Sequence, residues 1–117
     1  MVAATLAVVA GCVDVGPPAQ RTVQLSPPAW LHGTWCTVAD LACFDITSGD
    51  VVWRTYKGES FSLRYDFQSS VSDSAPTDQY YVVYVDGDKY FSFTRLSDDL
   101  VSVWQAGMND TMLYWRE

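Results

Sequence analysis

From Trp30 to the end of the chain, turn-forming clusters recur too often for a helix of useful length to fit between them. They are Ser48-Gly49-Asp50, Lys57-Gly58, Asp86-Gly87-Asp88, Ser97-Asp98-Asp99 and Gly107-Met108-Asn109-Asp110. Apolar, aromatic and β-branched runs of strand length lie between them, and short strands at such spacing indicate an all-β sandwich or barrel. The pattern predicts eight strands, at about 33–37, 42–47, 51–56, 61–69, 79–85, 89–96, 100–105 and 111–116. The 61–69 segment alternates without a break: Phe61, Leu63, Tyr65 and Phe67 on one face, Ser62, Arg64, Asp66 and Gln68 on the other. Residues 70–78 read as the one irregular loop. Asp86-Gly87 between two apolar runs is a strong hairpin signal, because both central positions of such a turn take positive φ. A calcium loop would need several oxygen ligands at set spacing and a distal Glu, which are absent there.

The chain ahead of Trp30 has a different character. Residues 1–11 carry no charged side chain and are too few to span a bilayer as a helix. They fit the hydrophobic part of a secretory signal, and Val9-Ala10-Gly11-Cys12 resembles the bacterial lipobox, which is cleaved ahead of a cysteine that receives lipid. A basic leader is missing, so Met1 reads as a late start; a plain secretory signal or a chance apolar leader is the alternative. Residues 12–29 hold Gly16-Pro17-Pro18 and Ser26-Pro27-Pro28, the composition of a semi-rigid extended tether. At roughly 3.1 Å per residue it would reach about 50 Å. The expected organisation is a signal at 1–11, a lipid-anchored tether at 12–29 and a β-barrel domain at 30–117.

With Cys12 assigned to lipid, Cys36 and Cys43 remain and have one possible connectivity. Side-chain alternation supports the pair: a hairpin register joining 36 to 43 sets Trp35 opposite Phe44, both facing the core. Two thiols and one remote histidine make a poor zinc site, so no metal is expected. His32 is the single histidine. It lacks a nucleophile motif to serve, so no catalytic residue, cofactor or enzymatic activity is expected.

Gly33-Thr34-Trp35 opens the first strand, and Leu113-Tyr114-Trp115-Arg116 lies in the last. This combination resembles the lipocalin (calycin) pattern, in which the G-x-W tryptophan packs at the base of an antiparallel barrel under an arginine from near the chain's end. The resemblance implies that Trp35 and Arg116 close a small antiparallel up-and-down barrel of about eight strands. The chain is much shorter than a usual lipocalin and lacks the family's middle motif and C-terminal helix. With five Trp, five Phe and seven Tyr to place, the interior is expected to be filled. Small envelope lipoproteins of this build include inhibitors of lysozyme and of secreted proteases, though no inhibitory motif of either group can be carried over.

Twelve Asp and two Glu against two Lys and five Arg leave a formal net charge of −7. There is no basic stripe to displace counterions from phosphates, which argues against nucleic acid. The expectation is a membrane-anchored, extracytoplasmic binding module of the cell envelope that engages a protein partner, for instance as an inhibitor of an envelope-active enzyme. A lipocalin-type carrier of a small apolar ligand is the alternative. For the partner surface, an even-length loop at Asp86-Gly87 puts Tyr80, Val82, Tyr84, Phe91 and Phe93 on the core face. Tyr81, Val83, Val85 and Tyr90 then form an outward apolar patch, a candidate contact wall beside the 70–78 loop. Ordinary β-propensity would also put valine and tyrosine at those positions.

Overall fold

The computed structural model describes residues 25–67 and 70–117. The expected signal segment 1–11, the lipidation site Cys12 and the tether as far as residue 24 lie outside the described residues.

The fold is all-β. Nine antiparallel strands form one curled sheet, a half-barrel. They are β1 (Gly33–Cys36), β2 (Cys43–Ile46), β3 (Val51–Arg54), β4 (Ser60–Ser62), β5 (Val71–Asp73), β6 (Tyr80–Val85), β7 (Asp88–Ser97), β8 (Leu100–Gln105) and β9 (Thr111–Arg116). Their spatial order is β4-β3-β2-β1-β9-β8-β7-β6-β5. The sheet is thus an up-and-down meander in which first strand pairs with last. Among the described residues, β4 and β5 share no ladder, and the curl stays open there.

That seam has a local cause. The expected long strand at 61–69 ends after Ser62 and turns into a short helix, α1 (Leu63–Asp66). Ser62 Oγ caps it by accepting from the Tyr65 amide at 3.1 Å, while Asp66 Oδ2 accepts from the Ser62 amide at 2.7 Å. Asp50 accepts from the Val51 amide at 2.8 Å, the Arg64 amide at 3.0 Å and the Ser62 hydroxyl. These bonds satisfy the backbone better than an unpaired edge strand would, so the alternation of Phe61 to Phe67 is overruled. Leu63 still points into the core, and Phe67 packs on Tyr90 with ring centroids 5.7 Å apart. Leu25, from ahead of the first strand, is buried in the same core cluster. The expected irregular loop at 70–78 contains β5, which supplies the ninth strand by pairing with β6.

The interior is occupied by rings. Phe44 stands edge-on to Phe91 and Phe93, with centroids 4.9 and 5.1 Å away, and 5.0 Å from Tyr114. Cys36 and Cys43 face each other in the β1–β2 register and are joined by a disulfide, which leaves Trp35 opposite Phe44 on the core side. Closing so short a loop contributes on the order of 2–3 kcal/mol in the chain-entropy account. On the outer face Asp45 of β2 links its neighbours, accepting from Thr34 of β1 at 2.8 Å and from Arg54 of β3 at 2.7 Å. The Arg54 hydrogen bond holds the Asp45 carboxyl below its usual range.

Asp86 and Gly87 form the expected two-residue turn, with φ of 55° and 83° and Val85 opposite Asp88. The register then slips. Tyr84 opposes Lys89, but Val83 opposes Phe91, so Tyr90 is an extra residue. This bulge reverses the parity set by the turn. Tyr81 and Val83 consequently join Phe91 and Phe93 in the core, all four fully buried.

Candidate functional site

The two ends of the half-barrel differ. One is closed around Trp35 and Arg116. Gly33 enters β1 with φ of 128°, and a Cβ there would come within 2.9 Å of an Arg116 guanidinium nitrogen, so glycine is required. The guanidinium carbon lies 4.2 Å from the centre of the Trp35 ring. Its nitrogens donate to the carbonyls of His32 at 2.7 Å, Trp30 at 2.8 Å and Asp98 at 3.0 Å. Trp35 Nε1 donates to the Leu31 carbonyl at 2.9 Å. His32 has its ring Nε2 2.9 Å from the Pro27 carbonyl, a structural contact where the chain enters the first strand.

The patch expected at Tyr81, Val83, Val85 and Tyr90 is not an outer wall. Tyr81 and Val83 are fully buried, and Val85 and Tyr90 are half-buried against the core. The Tyr81 hydroxyl donates to Asp73 Oδ2 at 2.7 Å; burial, reinforced by that bond, pushes its pKa far up. Its polar handle is used internally. The cause of the misplacement is the Tyr90 bulge.

The other end is open, and an apolar cleft of about 890 Å³ lies there. One wall is the β1–β2 turn, with Thr37, Val38, Leu41 and Ala42. A second is β9 from Thr111 to Trp115, together with Met108 from the preceding turn. Trp53, Thr55, Tyr56, Lys57 and Glu59 from β3 and the turn after it make the third, and Val103 and Gln105 of β8 complete the lining. Tyr114 is buried beneath this surface, and that burial pushes its pKa up.

Ten large hydrophobic side chains are exposed among the described residues, and only Tyr65, Tyr80 and Leu96 lie away from this cleft. The other seven are Val38, Leu41, Tyr56, Met108, Met112, Leu113 and Trp115. Such concentration marks an interaction surface, whereas scattered exposed residues need no explanation. Val38 is 69% and Leu41 63% exposed on a turn whose next residues, Ala39 and Asp40, have φ of 61° and 53°. A left-handed alanine costs about 1–2 kcal/mol. The disulfide at the base of the turn holds that conformation, together with bonds from the Thr37 amide to the Ala42 carbonyl and from the Ala42 amide to Thr37 Oγ1. Strain kept in place beside a concave apolar surface is characteristic of a binding site.

These residues carry a faint sequence signal. Val38 and Leu41 interrupt a turn between two cysteines, and Met108 interrupts Gly-Met-Asn-Asp, both places where a turn is ordinarily polar. Among the described residues, the one group able to gather metal-ligating atoms is Cys36, Asp40 and Cys43, and its two sulfurs are bonded to each other. No protein-family model, curated protein or solved structure matches this chain.

Proposed function

We propose that the protein is a lipid-anchored binding module of the cell envelope and that the open-end cleft receives a protein partner. The observation that carries this reading is the gathering of seven of the ten exposed large hydrophobic residues around one concave surface. The ring-filled interior supports a surface engagement over a ligand cup. Aromatic and methionine side chains around such a surface are typical of interface anchors. The second reading, a carrier of a small apolar ligand, draws on the cleft volume of about 890 Å³, which lies within the range of ligand pockets. Inhibition of an envelope-active enzyme is one way in which the module would act.

Pull-down from envelope extract with Leu41→Asp/Met108→Asp beside the parent protein tests the reading. The substituted side chains are exposed, so stability should change by no more than about 0.5 kcal/mol per site, while partner capture should fall by about tenfold or more. Unchanged capture removes the cleft as the partner site. Purified parent protein that retains a small apolar molecule, released by the same substitutions, selects the carrier instead.

The envelope assignment rests on the lipobox-like residues ending at Cys12. Among the described residues no helix is long and apolar enough to cross a membrane. Cys12→Ser should move the protein from the membrane fraction to the soluble one with its fold intact, because the barrel closes on Trp30, His32 and Arg116, all well past the anchor. Membrane retention of this variant would rule out the lipid anchor.

A further inference from the structure

One wall of the cleft is a strand with an unused edge. β9 pairs with β8 from Thr111 to Trp115, but with β1 only at Trp115 and Arg116. The register Trp115↔Cys36 would set Val38 opposite Leu113 had β1 continued, but the chain turns away after Cys36. The direction of the free groups follows from two bonds. The Glu117 amide donates to the Thr34 carbonyl of β1 at 2.9 Å, and the Arg116 amide to the Asp99 carbonyl beside β8 at 2.9 Å. Backbone groups alternate sides along a strand, and the β9 register has no slip. Thr111 and Leu113 therefore aim their N–H and C=O groups into the gap left by β1, and both residues are exposed. At the β4 edge, by contrast, the Ser62 amide is taken by Asp66 Oδ2 at 2.7 Å.

Resting on the reading of the cleft as a partner site, we propose that the partner enters as an extended peptide segment that adds as a strand to the Thr111–Tyr114 edge. Main-chain bonds to Thr111 and Leu113 supply affinity, and alternate apolar side chains of the segment drop between Val38, Leu41 and Met108. Charge complementarity identifies the flanks. Glu59 and Lys57 line the cleft, Asp40 and Asp110 are next to lining residues in the chain, and Arg54 near Asp40 is engaged by Asp45; within a protein of net charge −7, the segment is apolar at every second position with basic residues at its ends. A short interrupted ladder beside a cavity is also a controlled form of edge, since the open groups are too few to template aggregation.

The probes are heptapeptides Lys-Thr-X-Thr-X-Thr-Lys with X as Val, Ile, Leu or Phe, titrated into the full chain. Tryptophan fluorescence and amide hydrogen exchange are the readouts. At least one member should bind and slow exchange at Thr111 and Leu113, with Met112 and Tyr114, already paired to β8, as internal controls. N-methylation of either the X positions or the intervening Thr positions removes the donors on one side of the peptide only. One methylated set should lose about tenfold or more in affinity and the other should not. Exchanging both Lys for Glu should weaken binding.

Equal effects of the two methylated sets would overturn strand addition, as would binding without protection at Thr111 and Leu113. In both cases the cleft remains a partner site if Leu41→Asp/Met108→Asp still abolishes capture. No binding by any member also overturns the proposal. Protection of Thr111 and Leu113 in the free protein overturns it too, assigning the edge to a second copy if protection rises with concentration and to residues 1–24 of the same chain if it does not.

Discussion

Arg116→Ala is expected to lower stability by about 2–4 kcal/mol, and Arg116→Lys to recover less than half of that loss. The guanidinium does two things at once. It covers the Trp35 ring at 4.2 Å, and it bonds three backbone carbonyls from two separate parts of the chain, Trp30 and His32 before β1 and Asp98 between β7 and β8. A charged donor is worth about 1.5–3 kcal/mol per bond when desolvated. Arg116 keeps 29% side-chain exposure, and bonds sharing one donor group are not additive, which brings the sum down. The surface pair with Asp99 at 3.5 Å adds little. Lysine has a single ammonium and no planar fork, so it cannot serve three carbonyls while lying flat on an indole. Urea unfolding of the two variants measures the effect, and an unchanged midpoint for Arg116→Ala would mean that the closed end does not hold the half-barrel together. Trp35→Phe keeps much of the ring but forfeits the bond to the Leu31 carbonyl, so it should fall between the parent and Arg116→Ala.

The closed end was legible because its determinants are local or terminal. Gly33-Thr34-Trp35 is contiguous, Arg116 sits in the last strand, and alternation alone puts Trp35 and Phe44 on one face once Cys36 meets Cys43. The turn at Asp86-Gly87 was legible for the same reason, since its chemistry lies within two residues. Legibility fails where the decisive partner is distant. Nothing between Phe61 and Phe67 shows that Asp50 will accept from Ser62 and Arg64, yet those bonds convert half of the most regular strand pattern into α1 and leave the β4–β5 seam. The cleft is less visible still, because it is created by pairing that does not occur: β1 stops, β9 continues, and seven apolar residues from separate turns and strands meet around the gap. Only their presence in turns hinted at a use.

The Tyr90 bulge has the sharpest consequence. Val83→Lys is expected to unfold the protein or to cost more than about 4 kcal/mol, whereas Tyr80→Lys should be tolerated within about 1 kcal/mol. Counting back from the Asp86-Gly87 turn gives the opposite expectation, with Tyr80 inward beside Phe91 and Val83 outward. The extra residue shifts every pairing beyond Val83/Tyr84, so that Val83 meets Phe91 and Tyr81 meets Phe93 on the core face. Val83 is completely enclosed, among side chains of the core cluster that include Phe91 and Val85. The register sets Asp73 of β5 opposite Val83, but that carboxylate already accepts from the Tyr81 hydroxyl and the Ser26 amide, so an ammonium among the apolar side chains would still carry a desolvation penalty beyond what a domain of about 5–15 kcal/mol total stability withstands comfortably. Tyr80, by contrast, is 38% exposed, and its hydroxyl does no more than accept from Ser92 Oγ at 3.2 Å. A lysine can extend from that position into water while its methylene stem covers the strand. Near-ultraviolet circular dichroism and urea titration of the two variants read the faces directly. A folded Val83→Lys beside an unfolded Tyr80→Lys would mean that the hairpin has no bulge, and would return Tyr81 and Val83 to the surface as the contact wall.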